Sequence, residues 1–255
     1  MDISAYYQQI NIFNNIDFDA DSHSYKVAGK TAKSVTETLK GLVKAFDSVY
    51  WAEKKALDLG ITPDEILKKW EITAKTSKVK GTLVHSYIES IFKSNAFSYP
   101  EDFILNEFGF DPVQNAFNTI LPQVDKFITD INEKMYAVAT EFIIGDVDAL
   151  VCGTIDQIFY NKKSGKLEIW DWKTNKEIKT ISRYYHLAPI SHIPDTELDH
   201  YSLQLSMYKE ILEKNTKLEF GNSYLTWFNE NNNDYQIFKT RDYKEEARLI
   251  LGLSI

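Results

Sequence analysis

The stretch VCGTIDQIFYNKKSGKLEIWDWKTN, residues 151–175, places two carboxylates and a lysine in otherwise apolar surroundings. Asp156 lies in GTIDQIFY, and Asp171 and Lys173 lie in LEIWDWKT; both runs are rich in the β-branched and aromatic residues that favour strands. NKKSGK between them has the composition of a turn, so the segment predicts a hairpin through Ser164-Gly165. Alternate side chains of a strand share a face, which groups Leu167, Ile169, Asp171 and Lys173 and sends Trp170 and Trp172 the other way. An antiparallel partner then brings Asp156 beside Asp171 near the end of the pair. Carboxylates so placed repel each other unless one takes a proton or a cation sits between them. A hard divalent ion with oxygen ligands, Mg2+ or Mn2+, is the economical answer. A lone Asp-x-Lys would ordinarily be an ion pair of little consequence. The second aspartate on the neighbouring strand is what turns the pattern toward chemistry.

The elements that must hold these residues read as follows. IDFDADSHSYKVAGKTAKSVT alternates and carries turn residues at Asp19–Ser22 and Gly29, predicting a small hairpin. From Val35 to about Ser94 the period is helical. ITPDEILKKW opens a helix with Thr62 as cap, Pro63 in the first position and Glu65 as capping-box partner. KGTLVHSYIESIF predicts a further helix with an apolar stripe at Leu83, Tyr87, Ile88 and Ile91. Helices are also expected in EDFILNEFGF and in PVQNAFNTILPQVDKFITDINEKM, the latter broken or restarted at Pro122. YAVATEFIIG then switches to strand periodicity ahead of the hairpin. A polar loop, LAPISHIPDTELD, leads to a helix in HYSLQLSMYKEILEK; NSYLTWFNE and DYQIFKT form another hairpin, and RDYKEEARLILGL closes as helix. The expectation is α/β (α+β): a central mixed sheet flanked by helices, in one domain over 1–255, with 1–134 mainly helical and 135–255 carrying the sheet.

With GTID followed by IWDWKTN, the chain resembles the PD-(D/E)xK nuclease superfamily, in particular its RecB-like branch. KGTLVHSYIES is similar to that branch's upstream helix, and LQLSMY to its Gln-x-x-x-Tyr helix, in the family's order. HSYKVAGKTAKSVTETL is similar to the N-terminal segment of stand-alone phage and mitochondrial exonucleases. The first motif here is Ile155-Asp156 rather than Pro-Asp. The resemblance implies a restriction-endonuclease-like core with Asp156, Asp171 and His85 as metal ligands, the Trp172 main-chain carbonyl assisting, and Mg2+ or Mn2+ bound. It implies that Lys173 positions and polarises the attacking water. Beside carboxylates its own pKa should be raised, which argues against a free general base. Gln204 and Tyr208 would support the motif or contact a nucleotide, with Tyr201 on the same stripe. Glu141 opens a strand about where relatives often carry a glutamate, and a site role and a structural one are both open to it. Glu89, one turn beyond His85, shares its face; metal contact and a solvated position are both open to it. Lys176, Lys179 and Arg183 follow the second strand and would neutralise phosphates or simply lie in a solvated loop. His186, His192 and His200 lack a zinc spacing and are taken as non-ligands.

The activity implied is metal-dependent DNA exonuclease action in DNA processing, recombination or repair, in a phage or bacterial setting. A structure-specific endonuclease and a catalytically silent nucleic-acid-binding module of the same fold are the alternatives. DNA, as linear ends or single strands, is the expected partner, and a homo-oligomer is compatible with the family. A net charge of −8 excludes a uniformly basic coat but not a local basic groove. One cysteine, Cys152, excludes an internal disulfide and any four-thiolate cluster. No apolar run approaches the roughly 18 residues of a membrane span. The N-terminus lacks a basic region ahead of an apolar run, so no signal peptide is expected, and the single cysteine sets the expectation of a reducing, cytoplasmic setting.

Overall fold

The computed structural model describes residues 3–13, 15–19, 24–97, 112–216 and 218–253. The elements run α1 (Ile3–Ile10), β1 (Ile16–Asp19), β2 (Ser24–Val27), β3 (Lys30–Ser34), α2 (Val35–Lys40), α3 (Ser48–Leu59), α4 (Pro63–Phe92), then α5 (Pro112–Asn132). They continue with β4 (Met135–Asp146), β5 (Val151–Asn161), β6 (Leu167–Lys173), α6 (Glu197–Thr216), β7 (Phe220–Trp227), β8 (Gln236–Lys239) and α7 (Lys244–Ile250). The strands form one mixed sheet in the order β1-β2-β3-β5-β6-β7-β8, with β4 along the other edge of β5. The expected α+β architecture, a central mixed sheet flanked by helices, is therefore what the chain adopts.

Strand β5 organises the sheet. Its whole length pairs antiparallel with β4, whereas its opposite edge is shared. Strand β3 takes that edge in parallel at Val151 and Cys152, and β6 takes it antiparallel from Gln157 to Tyr160. Between the two, Gly153-Thr154-Ile155-Asp156 faces a fork with no strand partner on that side among the described residues. The turn closing β5 to β6 is fixed by Asn161 Oδ1, which accepts from the N–H groups of Lys163 and Ser164 at 2.9 and 3.0 Å. Gly165 supplies the left-handed backbone there, at φ +71°.

Alternation along β6 sorts the two cores. Leu167 and Ile169 pack with Ile158, Leu225, Leu203 and Ile211 under α6. Trp170 and Trp172 pack with Phe127, Phe159 and Phe228 under α4 and α5. Trp172 is 1% exposed, and burying a side chain of that size contributes roughly 4–6 kcal/mol. The strand is thus clamped from both faces, which holds its last residues, Asp171 to Lys173, in one place.

Helix α4 begins at the predicted cap: Thr62 Oγ1 accepts from Glu65 N–H at 3.3 Å, and Glu65 Oε2 accepts from Thr62 N–H at 2.8 Å. It then runs unbroken to Phe92, so KGTLVHSYIESIF is its second half and not a separate helix. Helix α5 likewise continues through Pro122, contrary to the expected break. Val113, Phe117, Ile120, Val124 and Phe127 are all at most 2% exposed, and this apolar stripe outweighs the one backbone hydrogen bond that the proline forgoes. Helix α1 has no counterpart in the sequence reading; its short pattern ends on the buried Ile10. The helix expected in EDFILNEFGF, His23 and most of the Asp19–Ser22 turn lie outside the described residues.

Candidate metal centre

The fork in the sheet opens into a concavity of about 690 Å3, and Asp156, Asp171, Glu141 and Lys173 line it. Where the β5–β6 ladder ends at Gln157 and Trp170, side chains replace backbone pairing: Asp156 Oδ2 accepts from Trp172 N–H at 2.7 Å. Asp156 and Asp171 are 7% and 3% exposed. Helix α4 delivers His85 from the side, anchored by the buried Leu83, Val84 and Ile88. His85 Nδ1 lies 3.6 Å from Asp156 Oδ2 and 3.7 Å from Glu141 Oε1. Its Nε2 faces the Trp172 carbonyl at 3.1 Å. Among the described residues, one donor atom each from His85, Glu141 and Asp156 falls within 4.8 Å of the others.

Glu141 reaches this cluster through a distortion. It is a non-glycine residue at φ +48° inside strand β4, in the left-handed region that side chains other than Asn and Asp seldom occupy. The β4–β5 ladder lacks the Glu141–Asp156 rung, although Thr140↔Gln157 and Phe142↔Ile155 pair on either side. Backbone strain of this kind costs about 1–3 kcal/mol and persists only where the surroundings impose it. Nothing in strand periodicity announces it.

Lys173 Nζ stands 2.5 Å from Asp171 Oδ2, and only 15% of its side chain is exposed. It also lies over the Tyr201 ring, 4.5 Å from the centroid, and Tyr201 is fixed by a 2.6 Å hydrogen bond from Asn175 Nδ2. Electrostatics follow from crowding. Burial, then the neighbouring Asp156, pushes the Asp171 carboxyl up to about 6 even though Lys173 opposes this. Burial raises Asp156 too, with Glu141 adding to it. For His85 burial opposes the charge, but Asp156 and Glu141 outweigh it and hold the imidazole at about 9. Burial likewise works against Lys173, and Asp171 and Asp156 overcome it, so its pKa is raised above the ordinary lysine value. The cluster thus gathers protons wherever no other cation serves.

The other candidates are distributed more widely. Glu89 lines the same concavity, but its Oε1 accepts from Lys93 Nζ at 2.7 Å and it lies outside the three-donor cluster. Gln204 Nε2 donates to the Tyr208 hydroxyl at 3.1 Å, and both line the concavity. Arg183 and Lys179 line a different concavity, beyond Tyr201. Lys176 contributes its carbonyl, which accepts from Asn229 Nδ2 at 3.2 Å. His186 is buried with Nδ1 against the Ile193 carbonyl at 3.1 Å, His192 pairs with Glu246 at 2.8 Å, and burial holds His200 down to about 4. Sequence reasoning missed Lys40 and Glu37, which enter the concavity from α2, and Lys93 from the end of α4. Ser34 Oγ accepts from Glu37 N–H at 2.9 Å and caps the start of α2, a signal the sequence reading did not use.

Gly153 makes the close contact that seats α6 on the fork. A Cβ at this position would lie 2.5 Å from Tyr208 Cε1 and 2.9 Å from its hydroxyl, and Tyr208 is itself 3% exposed. Gly153→Ala is therefore expected to destabilise the fold by about 1–3 kcal/mol, the usual range for overpacking. Urea unfolding would measure it, and a partial recovery in Gly153→Ala/Tyr208→Ala would assign the cost to this one contact.

No protein-family model matches the chain, and no curated protein matches it in sequence. Among solved structures, it is similar to a protein of Eubacterium rectale provisionally named an exonuclease, at 16% identity and a TM-score of 0.41. That match covers 68% of this chain and 63% of the other, so the chain spans less than two thirds of its length. A second, SSO0001, is 10% identical with a TM-score of 0.28, over 69% of this chain and 84% of that one.

Proposed function

We propose that the fork houses a divalent-metal-dependent nuclease site that hydrolyses phosphodiester bonds in DNA, acting from ends. The observation that carries this reading is the convergence of His85, Glu141 and Asp156 on one point, with Asp171 and an ion-paired Lys173 beside it. The donor set suits the group: carboxylate oxygens match Mg2+ or Mn2+, and the imidazole nitrogen favours the latter. A cation held there by His85, Glu141, Asp156 and Asp171 would neutralise phosphate charge and lower the pKa of a water.

The chain's own residues supply the rest. The Trp172 carbonyl at His85 Nε2 favours the tautomer protonated on that nitrogen, leaving Nδ1 free to face the carboxylates. That makes Trp172 a positioner of the histidine more naturally than a ligand. Lys173 stays charged at neutral pH, because Asp171 and Asp156 raise its pKa; it is therefore not a base. It can donate to a water or to a phosphate oxygen, in a direction that Asp171 and the Tyr201 ring fix. Lys40 and Lys93, which line the same concavity, offset part of the charge that five carboxylates (Glu37, Glu89, Glu141, Asp156 and Asp171) would present to a polyanion.

The test is incubation with end-labelled linear DNA and covalently closed circular DNA, in Mg2+, Mn2+ or EDTA, with Lys173→Ala in parallel. Loss of linear DNA only with metal, sparing of the circle and a Lys173→Ala defect of at least about 100-fold are expected. Cleavage of the circle would replace exonuclease by endonuclease. No cleavage of either by the folded protein would leave a binding module.

A further inference from the structure

Beyond the Lys173–Tyr201 contact lies a second concavity, of about 680 Å3. Tyr201 lines it and also carries the Lys173 ammonium 4.5 Å from its ring centroid, so one residue pair stands between the two hollows. Their linings differ in kind. The first is lined by five carboxylates; the second has two, Asp195 and Glu197, the latter 3.6 Å from Lys179, and presents Phe46, Ile181 and Tyr184, which are 66%, 86% and 59% exposed. The Arg183 guanidinium sits 5.5 Å from the Tyr184 ring centroid on the same wall. Large apolar side chains gathered this openly mark a binding surface, because the fold gains nothing by leaving them in water.

The surface continues. Phe46 lies 5.7 Å from Trp70, which joins the hollow to the helical hairpin of α3 and α4, where Tyr50 and Trp51 are also exposed. On that hairpin Lys68, Lys69 and Lys78 are exposed, whereas Lys75 pairs with Glu71 at 2.9 Å and the buried Lys80 pairs with Glu230 at 2.8 Å. Aromatic rings interleaved with cations suit a polyanion that bears flat apolar faces.

We propose that this second concavity stacks the unpaired bases of a single-stranded nucleic acid whose phosphate backbone enters the carboxylate fork. It rests on the nuclease reading and narrows its substrate to single strands at the point of cleavage. Phe46 and Tyr184 are the platform and Arg183 the neighbouring cation. Every base has a π-face, so such a platform is tolerant of sequence; a duplex has already spent those faces on its own stacking, so it discriminates against paired strands.

The experiment uses Asp171→Asn as a cleavage-silent parent and measures fluorescence anisotropy with labelled oligothymidine and with a blunt duplex. Phe46→Ala and Tyr184→Ala are each expected to weaken single-strand binding by about fivefold or more, with Tyr184→Trp retaining it and duplex affinity unchanged. Both residues are exposed, so the variants should fold, and circular dichroism checks this. Undiminished single-strand affinity in the double alanine variant, or equal losses on both substrates, overturns the stacking site while leaving the nuclease reading intact. A parent that binds neither nucleic acid sinks both.

Discussion

Asp156→Asn is expected to abolish metal-dependent cleavage, by more than about 100-fold, while leaving the protein folded. The side chain does three things at once: its Oδ2 accepts from Trp172 N–H at 2.7 Å, faces His85 Nδ1 at 3.6 Å and joins the three-donor cluster. An asparagine oxygen can keep the first, so the seam between β5 and β6 should survive. It cannot supply the charge. Losing a group that merely orients a metal ligand costs about 10- to 100-fold, so a larger loss is what separates a ligand from its support. Glu89→Gln makes the contrast, because Glu89 is already engaged by Lys93 at 2.7 Å and stands outside the cluster; its defect should stay below about 10-fold. A second readout is independent of activity. Asp156 is the largest influence raising His85 to about 9, so the substitution should bring the histidine back down toward its ordinary 6.5 in an NMR titration of the metal-free protein. Activity within about 10-fold of wild type, with an unmoved histidine, would remove Asp156 from the centre.

The sequence made part of this site legible and hid the rest for identifiable reasons. Alternation on β6 follows from strand geometry alone, so the shared face of Asp171 and Lys173 and the opposed tryptophans could be read directly. Capping chemistry marked the start of α4 for the same reason: it is local. The fork could not be seen, because it depends on β3 and β6 sharing one edge of β5, a pairing between segments far apart in the chain. Glu141 was reachable only as a position, since the left-handed backbone that presents it breaks the very periodicity used to read strands. Pro122 misled in the opposite direction: a local rule predicted a break that the buried stripe of α5 overrides. Lys40 lies on a short helix whose orientation is set by packing against α6 and β5, and no pattern within residues 35–40 encodes that.

The metal-free protein is expected to lose stability as pH rises, and added Mn2+ is expected to restore it increasingly toward alkaline pH. His85 titrates at about 9 when folded and near 6.5 when unfolded. A raised basic group stabilises the fold fully below the unfolded value, and that contribution is lost as pH climbs through the folded one. With 31% of its side chain open to solvent, the loss between pH 6.5 and 9 is on the order of 2 kcal/mol. Asp171 acts in the same direction at lower pH. Its carboxyl rises from 3.8 to about 6 on folding, so the folded chain holds that proton more tightly and is progressively destabilised between those values as the proton leaves. Cation binding at His85 Nδ1 requires the imidazole proton to depart, so affinity should rise by up to about tenfold per pH unit below 9, with one proton released per ion. Thermal unfolding with and without Mn2+ from pH 6 to 9, together with calorimetry in buffers of different ionisation enthalpy, measures both slopes. A shift in Tm on adding Mn2+ that is the same at pH 6 and pH 9, with no proton release, would mean that the ion binds without His85. The paired carboxylates would then be acting alone, and the histidine would serve only to hold the Trp172 carbonyl.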